Sequence, residues 1–103
     1  MKFICSKNIL LDSLNIVSKA VSTSSTLDIL KGIKIQAEQN VKLTGSDLDL
    51  SIESVFDADI RESGTIIIDT RIFLDIIKKL PDGEVELFTK ANEVLTILTN
   101  YFN

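Results

Sequence analysis

The chain contains no histidine, so the side chain that most often transfers protons near neutral pH is missing. General acid–base catalysis would then require a carboxylate or a lysine with a strongly perturbed pKa. The carboxylates fall mostly at turns or at alternating strand positions, where water surrounds them. Ser, Thr and Cys side chains have no evident activating base beside them. We therefore expect no enzymatic activity.

Cysteine is almost absent too, with Cys5 as the only one among 103 residues. A single cysteine excludes an internal disulfide and is typical of a reducing compartment. On an alternating strand we interpret Cys5 as a small core residue; the alternative is a reactive thiol. No sustained apolar run follows Met1 and Lys2, because Ser6 to Asn8 interrupts it. We expect neither a signal peptide nor a membrane span, and a cytoplasmic location.

Cofactor and metal motifs are also missing. The hydroxyl-rich stretch from Ser22 to Thr26 predicts a loop, but it lacks the glycines and the Lys-Ser/Thr pair of a phosphate-binding loop. Asp47 and Asp49 point to one side of a predicted strand, without a histidine or a distant carboxylate to complete a metal site. We expect no cofactor and no metal.

The net charge of −4, from 15 acidic and 11 basic residues, shows that the whole chain is not a polycation.

The stretch from Thr65 to Leu87 predicts a strand, a helix and a second strand. Thr65 to Ile68 is β-branched, and Asp69 or Thr70 can cap the helix that follows. From 71 to 80 one face of the helix is apolar and the other is polar. The apolar face consists of Phe73, Ile76, Ile77 and Leu80, and the polar face of Arg71, Asp75 and Lys78, with Lys79 at its border. Pro81 to Gly83 predicts a turn, and Glu84 to Leu87 alternates as a strand.

The beginning of the chain repeats this pattern 63 residues earlier. Ser6 falls on Asp69 as the matching helix cap, and the apolar stripe of the first helix, predicted over about 7–21, follows the second. The polar positions Asn8, Asp12 and Asn15 fall on Arg71, Asp75 and Lys78. Coincidence is the alternative, since any two amphipathic helices share some pattern. We interpret the repeat as an internal duplication with halves of approximately 1–55 and 56–103.

The remaining strands alternate with turns, and a chain of this length suits one domain. Gly45 and Ser46 predict a turn between two strands, and Thr99 with Asn100 predicts another near the end. The sequence predicts strands at Lys2–Cys5, Gly32–Ala37, Val41–Thr44, Asp47–Glu53 and Val94–Ile97, with extended chain over Val55–Arg61. The predicted fold class is α+β, with two helices packed side by side on curved antiparallel sheets.

Four segments together resemble the bacterial DNA polymerase III beta subunit, the DNA sliding clamp. They are the opening Met1-Lys2-Phe3, Thr26 to Leu30, Leu43 to Leu48, and the helix from Phe73 ending in Leu80-Pro81-Asp82-Gly83. Their order and spacing match over the whole chain, which resembles only the first domain of that family.

This resemblance implies a DNA-clamp fold, in which each domain is a duplicated strand–helix–strand unit whose helices face the hole. It further implies a ring of two head-to-tail subunits that encircles duplex DNA without sequence preference and tethers the replicative polymerase. The polymerase and the clamp loader would bind through later domains, and the full-length protein would be a homodimer. The family's final strand of this domain is at most begun at Asn103. We therefore expect that the chain alone does not form the ring.

Residue by residue, the resemblance places a DNA-facing basic residue at Arg71. It places a second DNA-facing position, an arginine in the family, at the uncharged Ser24, and Asp28 replaces a usual proline. From the polar helix faces we expect Lys19, Arg71, Lys78 and Lys79 to be exposed on one surface, with Ser24 at its margin. Two alternatives stay open: a small α+β protein-interaction module with no nucleic-acid role, and a fragment of an enzyme whose catalytic residues lie elsewhere.

Overall fold

Two helices and eight strands are formed by the residues that the computed structural model describes, which are 1–21, 32–47, 50–90 and 95–99. In chain order they are β1 (Lys2–Ser6), α1 (Lys7–Ser18), β2 (Gly32–Ala37), β3 (Val41–Ser46), β4 (Ser51–Phe56), β5 (Asp59–Glu62), β6 (Gly64–Asp69), α2 (Thr70–Lys79), β7 (Glu84–Thr89) and β8 (Leu95–Thr99). Among these described residues, neither helix is long and apolar enough to cross a lipid bilayer.

Both helices begin at the caps that the sequence predicts. Ser6 Oγ accepts from the N–H of Ile9 at 3.5 Å, and Asp69 Oδ1 accepts from the N–H of Ile72 at 3.0 Å. In each case a side-chain oxygen satisfies one of the free amides of the first helical turn. The two caps are 63 residues apart in the chain, so the repeat in the sequence is also a repeat in local structure.

The strands form two antiparallel sheets, with orders β5-β1-β7-β8 and β4-β3-β2-β6. The strand before each helix pairs with the strand after the other helix. Thus Phe3 of β1 lies opposite Leu87 of β7, and Ile66 of β6 lies opposite Ile35 of β2. The two halves exchange strands, and each sheet contains strands of both. This arrangement confirms the predicted α+β fold of two duplicated units.

The core lies between the helices and the inner faces of the sheets. Alternation along the strands directs every second side chain inward. Fully buried side chains come from both helices and both sheets and include Phe3, Leu10, Leu14, Val17, Ile33, Ile35, Leu43, Phe73, Ile77 and Leu87. The predicted buried stripe of α1 is confirmed. On α2 the prediction is wrong for Ile76, which is 40% exposed, because it lies at the edge of the buried stripe.

α1 packs directly on β3 and β4. The prediction of a turn at Gly45, within β3, is wrong. Both sides of Gly45 are paired, with Ile33 of β2 and with Ile52 of β4, so β3 continues through Ser46. The turn comes later: Asp47 Oδ1 accepts from the N–H of Leu50 at 2.7 Å, and the N–H of Asp47 donates to the carbonyl of Leu50 at 2.8 Å. Accordingly β4 begins at Ser51 rather than at Asp47.

The end of the described chain also differs from the predicted turn. Thr99 is the last residue of β8 and lies opposite Val85 of β7. The other residue of that predicted turn, Asn100, is outside the described residues.

Candidate nucleic-acid interface

The two helices lie against each other and run in opposite directions. The first N–H of α1, on Lys7, donates to the carbonyl of Gly83 at 2.8 Å, and Lys7 Nζ lies 3.8 Å from Asp82 Oδ1. Gly83 and Asp82 belong to the turn that follows α2, so the start of α1 adjoins the end of α2. Lys7 itself is buried and does not contribute to the outer surface of the helices.

The face of α1 turned away from the sheets is largely polar and has no net charge. Asn8, Asp12, Asn15 and Lys19 are all exposed, as predicted, while Leu10, Leu14 and Val17 point inward. Lys19 follows directly after the last residue of the helix. Among these four residues it is the one base, and it stands at the end of α1 that is far from Lys7.

The corresponding face of α2 carries more positive charge. Arg71, Asp75, Lys78 and Lys79 are exposed, and Phe73 and Ile77 are buried on the opposite side. Arg71 and Lys78 are seven residues apart, which places them on one side of the helix and about 10 Å apart along its axis. Lys78 and Lys79 occupy the last helical turn, where a positive charge also interacts favourably with the helix dipole.

The two exposed helix faces together form a surface that we call the helix face. Because the helices are antiparallel, Lys19 lies toward the end where α2 begins, near Arg71, and Lys78 and Lys79 lie toward the other end. Four bases and two carboxylates give the helix face a net charge of 4 − 2 = +2, although the chain has a net charge of −4. The predicted position Ser24 is outside the described residues.

Pairing distinguishes these bases from several of those on the sheets. Lys2 and Lys42 lie 3.4 and 3.6 Å from Glu86 and Glu53, and Arg61 forms two hydrogen bonds to Asp59, at 2.8 and 3.0 Å. The hydrogen-bonded guanidinium holds the pKa of the Asp59 carboxyl below its usual range. In the described part of the chain, none of the four bases on the helix face forms an ion pair.

Exposed isoleucines lie among these polar residues, a feature that the sequence reading did not include in the site. Ile9 and Ile16 of α1 and Ile72 of α2 are 48%, 46% and 58% exposed. The sequence does indicate two of these isoleucines, since Ile9 falls on Ile72 under the 63-residue shift. They make part of the helix face apolar without adding hydrogen-bonding groups.

Such a surface can bind a polyanion through its charged groups. Exposed, unpaired Lys and Arg side chains meet phosphate oxygens without reading sequence, because phosphates are identical at every base pair. Among the described residues, no three His, Cys, Asp or Glu side chains are grouped so that they could hold a metal ion.

Comparison with known proteins identifies the relatives of this architecture. The family model for the N-terminal domain of the DNA polymerase III beta subunit matches residues 1–102. The chain belongs to this family. It is 39% identical to the beta sliding clamp of Halalkalibacterium halodurans, with 94% of this chain and 28% of that protein covered.

Solved structures of the beta subunit family have the same fold. The sliding clamp from Bacillus subtilis superposes with a TM-score of 0.92 at 37% identity, over 99% of this chain and 29% of that one. The clamp from Caulobacter crescentus gives a TM-score of 0.91 at 30% identity, over 99% and 28%. The chain thus spans less than a third of these relatives and corresponds to their N-terminal domain.

Proposed function

We propose that this chain is the first domain of a ring-shaped processivity factor that encircles duplex DNA and tethers a replicative polymerase. The helix face would line the hole, with Lys19, Arg71, Lys78 and Lys79 toward the phosphates and Ser24 at its margin. The observation that carries the proposal is the presence on the paired helices of four exposed basic residues, in a domain of the beta subunit family. None of the four forms an ion pair with another residue that the structure describes.

The modest charge of the helix face suits a protein that must move along DNA. Affinity for duplex DNA grows with the number of phosphates neutralised, and each added contact makes binding more dependent on salt. With at most four bases available, we expect a dissociation constant of roughly 10⁻⁴ to 10⁻⁶ M at physiological salt, without sequence preference. In a closed ring, topology rather than affinity would then hold the DNA.

The remaining partners follow from clamp identity and are part of the same proposal. The polymerase and the clamp loader would bind through other domains of a full-length homodimer in the cytoplasm, and the domain itself would be non-catalytic. We propose half-units of 1–55 and 56–103. On this basis the sheet that ends at β8 would accept one more strand, as the counterpart of β4 in the other sheet.

Charge-removing variants test the DNA contact. Fluorescence anisotropy with two unrelated 20-base-pair duplexes at 50 mM salt would compare the parent chain with Lys78→Gln and with Arg71→Gln/Lys78→Gln. Lys34→Gln is a matched control, since Lys34 is exposed and lies between the buried Ile33 and Ile35, on the face of β2 turned away from the core.

The proposal predicts weaker binding for both helix variants, a smaller salt slope for the double variant, and no change for Lys34→Gln. The two duplexes should bind equally. Equal affinity of all variants, or strong preference for one duplex at physiological salt, would contradict it.

A further inference from the structure

A carboxylate occupies the middle of the exposed face of each helix. Asp12 is the sixth residue of α1 and Asp75 is the sixth residue of α2, and the 63-residue shift places one on the other. Both are exposed, and neither forms an ion pair with another described residue. Each helix therefore carries an exposed negative charge at the same helical position.

The bases lie around these acids rather than over them. Asp75 is four residues after Arg71 and three before Lys78, spacings that make side chains neighbours on a helix surface. Asp12 has the uncharged Asn8 and Asn15 at the same spacings. Since the helices are antiparallel, the two acids lie near the middle of the helix face and the four bases toward its ends.

We propose that Asp12 and Asp75 limit the affinity of the helix face for DNA, an inference that rests on the proposed function. The two carboxylates reduce the charge of the face from +4 to +2 and repel phosphates from its centre. The DNA then contacts two separated groups of basic side chains. Close approach of the duplex to the middle of the helices is disfavoured. The two carboxylates thereby keep the contact weak enough for the duplex to slide.

A purely structural role is the competing explanation, because an acid four residues before a base supports a helix slightly. Lys79 follows Asp75 at that spacing. The two explanations differ in their readout: a helix-supporting acid changes stability and leaves DNA affinity unchanged. An affinity-limiting acid changes DNA affinity with little effect on stability.

The experiment compares the parent chain with Asp75→Asn and with Asp12→Asn/Asp75→Asn in DNA titrations at 50, 150 and 300 mM salt. Glu53→Gln removes the same charge on the opposite side, since its neighbour Ser54 points to α1 and forms a hydrogen bond with Ser13. Because Glu53 lies 3.6 Å from Lys42, this control is made in a Lys42→Gln background, which serves as its own parent, so that no lysine is freed. Lys78→Gln is included to show whether the helix face binds DNA at all. Circular dichroism melts report the stability of each variant.

We expect Asp75→Asn to tighten DNA binding roughly two- to fivefold at 50 mM salt, and the double variant further, since single charges act over about a Debye length. The gain should shrink at 300 mM, and Glu53→Gln should leave affinity within twofold of the parent. If Lys78→Gln weakens binding while the Asn variants do not strengthen it, the inference is wrong and the proposed function stands. An equal gain from Glu53→Gln would also overturn it, because the effect would then be one of net charge. If Lys78→Gln has no effect, the proposed function itself fails.

Discussion

The carbonyl oxygen of Val17 lies only 2.2 Å from the position that a Cβ on Gly45 would occupy. The last turn of α1 therefore rests on the bare backbone of β3, closer than any residue with a side chain would allow. The glycine is needed for this contact and not for a turn, since Gly45 is paired on both sides within its sheet. The position of α1, and with it one half of the helix face, depends on this approach.

Substituting Gly45→Ala should destabilise the domain by about 2 kcal/mol or more, because the new methyl group collides with helix backbone and α1 must shift. Chemical denaturation of the purified chain measures the change. Thr44→Ala, at a neighbouring position on the outward face of β3, is the control and should cost less than about 1 kcal/mol. Equal stability of Gly45→Ala and the parent would show that the helix does not lie on β3 in this way.

The hydroxyl pair of Ser13 and Ser54 links α1 to β4. Either single substitution to Ala leaves one partly buried hydroxyl without its partner, and each should cost about 1 kcal/mol. The double variant Ser13→Ala/Ser54→Ala should cost less than the sum of the two. A double-mutant cycle should therefore give a coupling of about 0.5 to 1 kcal/mol. Strict additivity would mean that the two hydroxyls do not interact.

The two helix caps should differ in strength. Asp69 accepts from Ile72 at 3.0 Å, whereas Ser6 accepts from Ile9 at the longer distance of 3.5 Å. Asp69→Ala should cost about 1 kcal/mol in thermal or chemical unfolding, and Ser6→Ala should cost less. Asp69→Ser keeps a capping oxygen and should recover much of the loss. If Asp69→Ser is as unstable as Asp69→Ala, capping is not the role of this residue.

Burial of Cys5 should make stability depend on pH in the alkaline range. Burial raises the pKa of its thiol to about 12, so the folded protein favours the neutral thiol. The unfolded thiol ionises near pH 8.5, and the stabilisation is therefore complete below that pH and is lost as pH rises toward 12. Relative to Cys5→Ala, the parent should lose roughly 2 kcal/mol between pH 8 and pH 10.5. Parallel stability curves for the two proteins over this range would contradict the burial of the thiol.

Much of the fold can be predicted from the sequence, because caps, helical periodicity and strand alternation are local. Ser6 and Asp69 sit at the predicted helix starts, and Lys19, Arg71, Lys78 and Lys79 are exposed as their helical spacing predicts. The exposure of a side chain on an amphipathic helix depends mainly on which residues lie three and four positions away.

Other features depend on contacts between distant parts of the chain, and local pattern does not contain them. Gly45 resembles a turn residue in sequence, yet its role is set by a helix more than 20 residues earlier. Likewise the burial of Lys7 requires the turn after α2, and the exchange of strands between the halves is a matter of tertiary pairing. The direction of the helices, which places bases at both ends of the helix face, follows from these long-range contacts.

Nuclear magnetic resonance can show directly whether the helix face binds duplex DNA. Titrating a 20-base-pair duplex into the isotopically labelled chain at 50 mM salt would report on each backbone amide. We expect fast-exchange shifts that are concentrated at the helix face and disappear at high salt. They should appear at Asn8, Asn15, Lys19, Arg71, Lys78 and Lys79. Amides on the outward sheet faces, such as those of Lys34, Lys42 and Thr44, should not respond. Shifts confined to the outward sheet faces, or none even at millimolar DNA, would contradict the assignment of the helices to DNA.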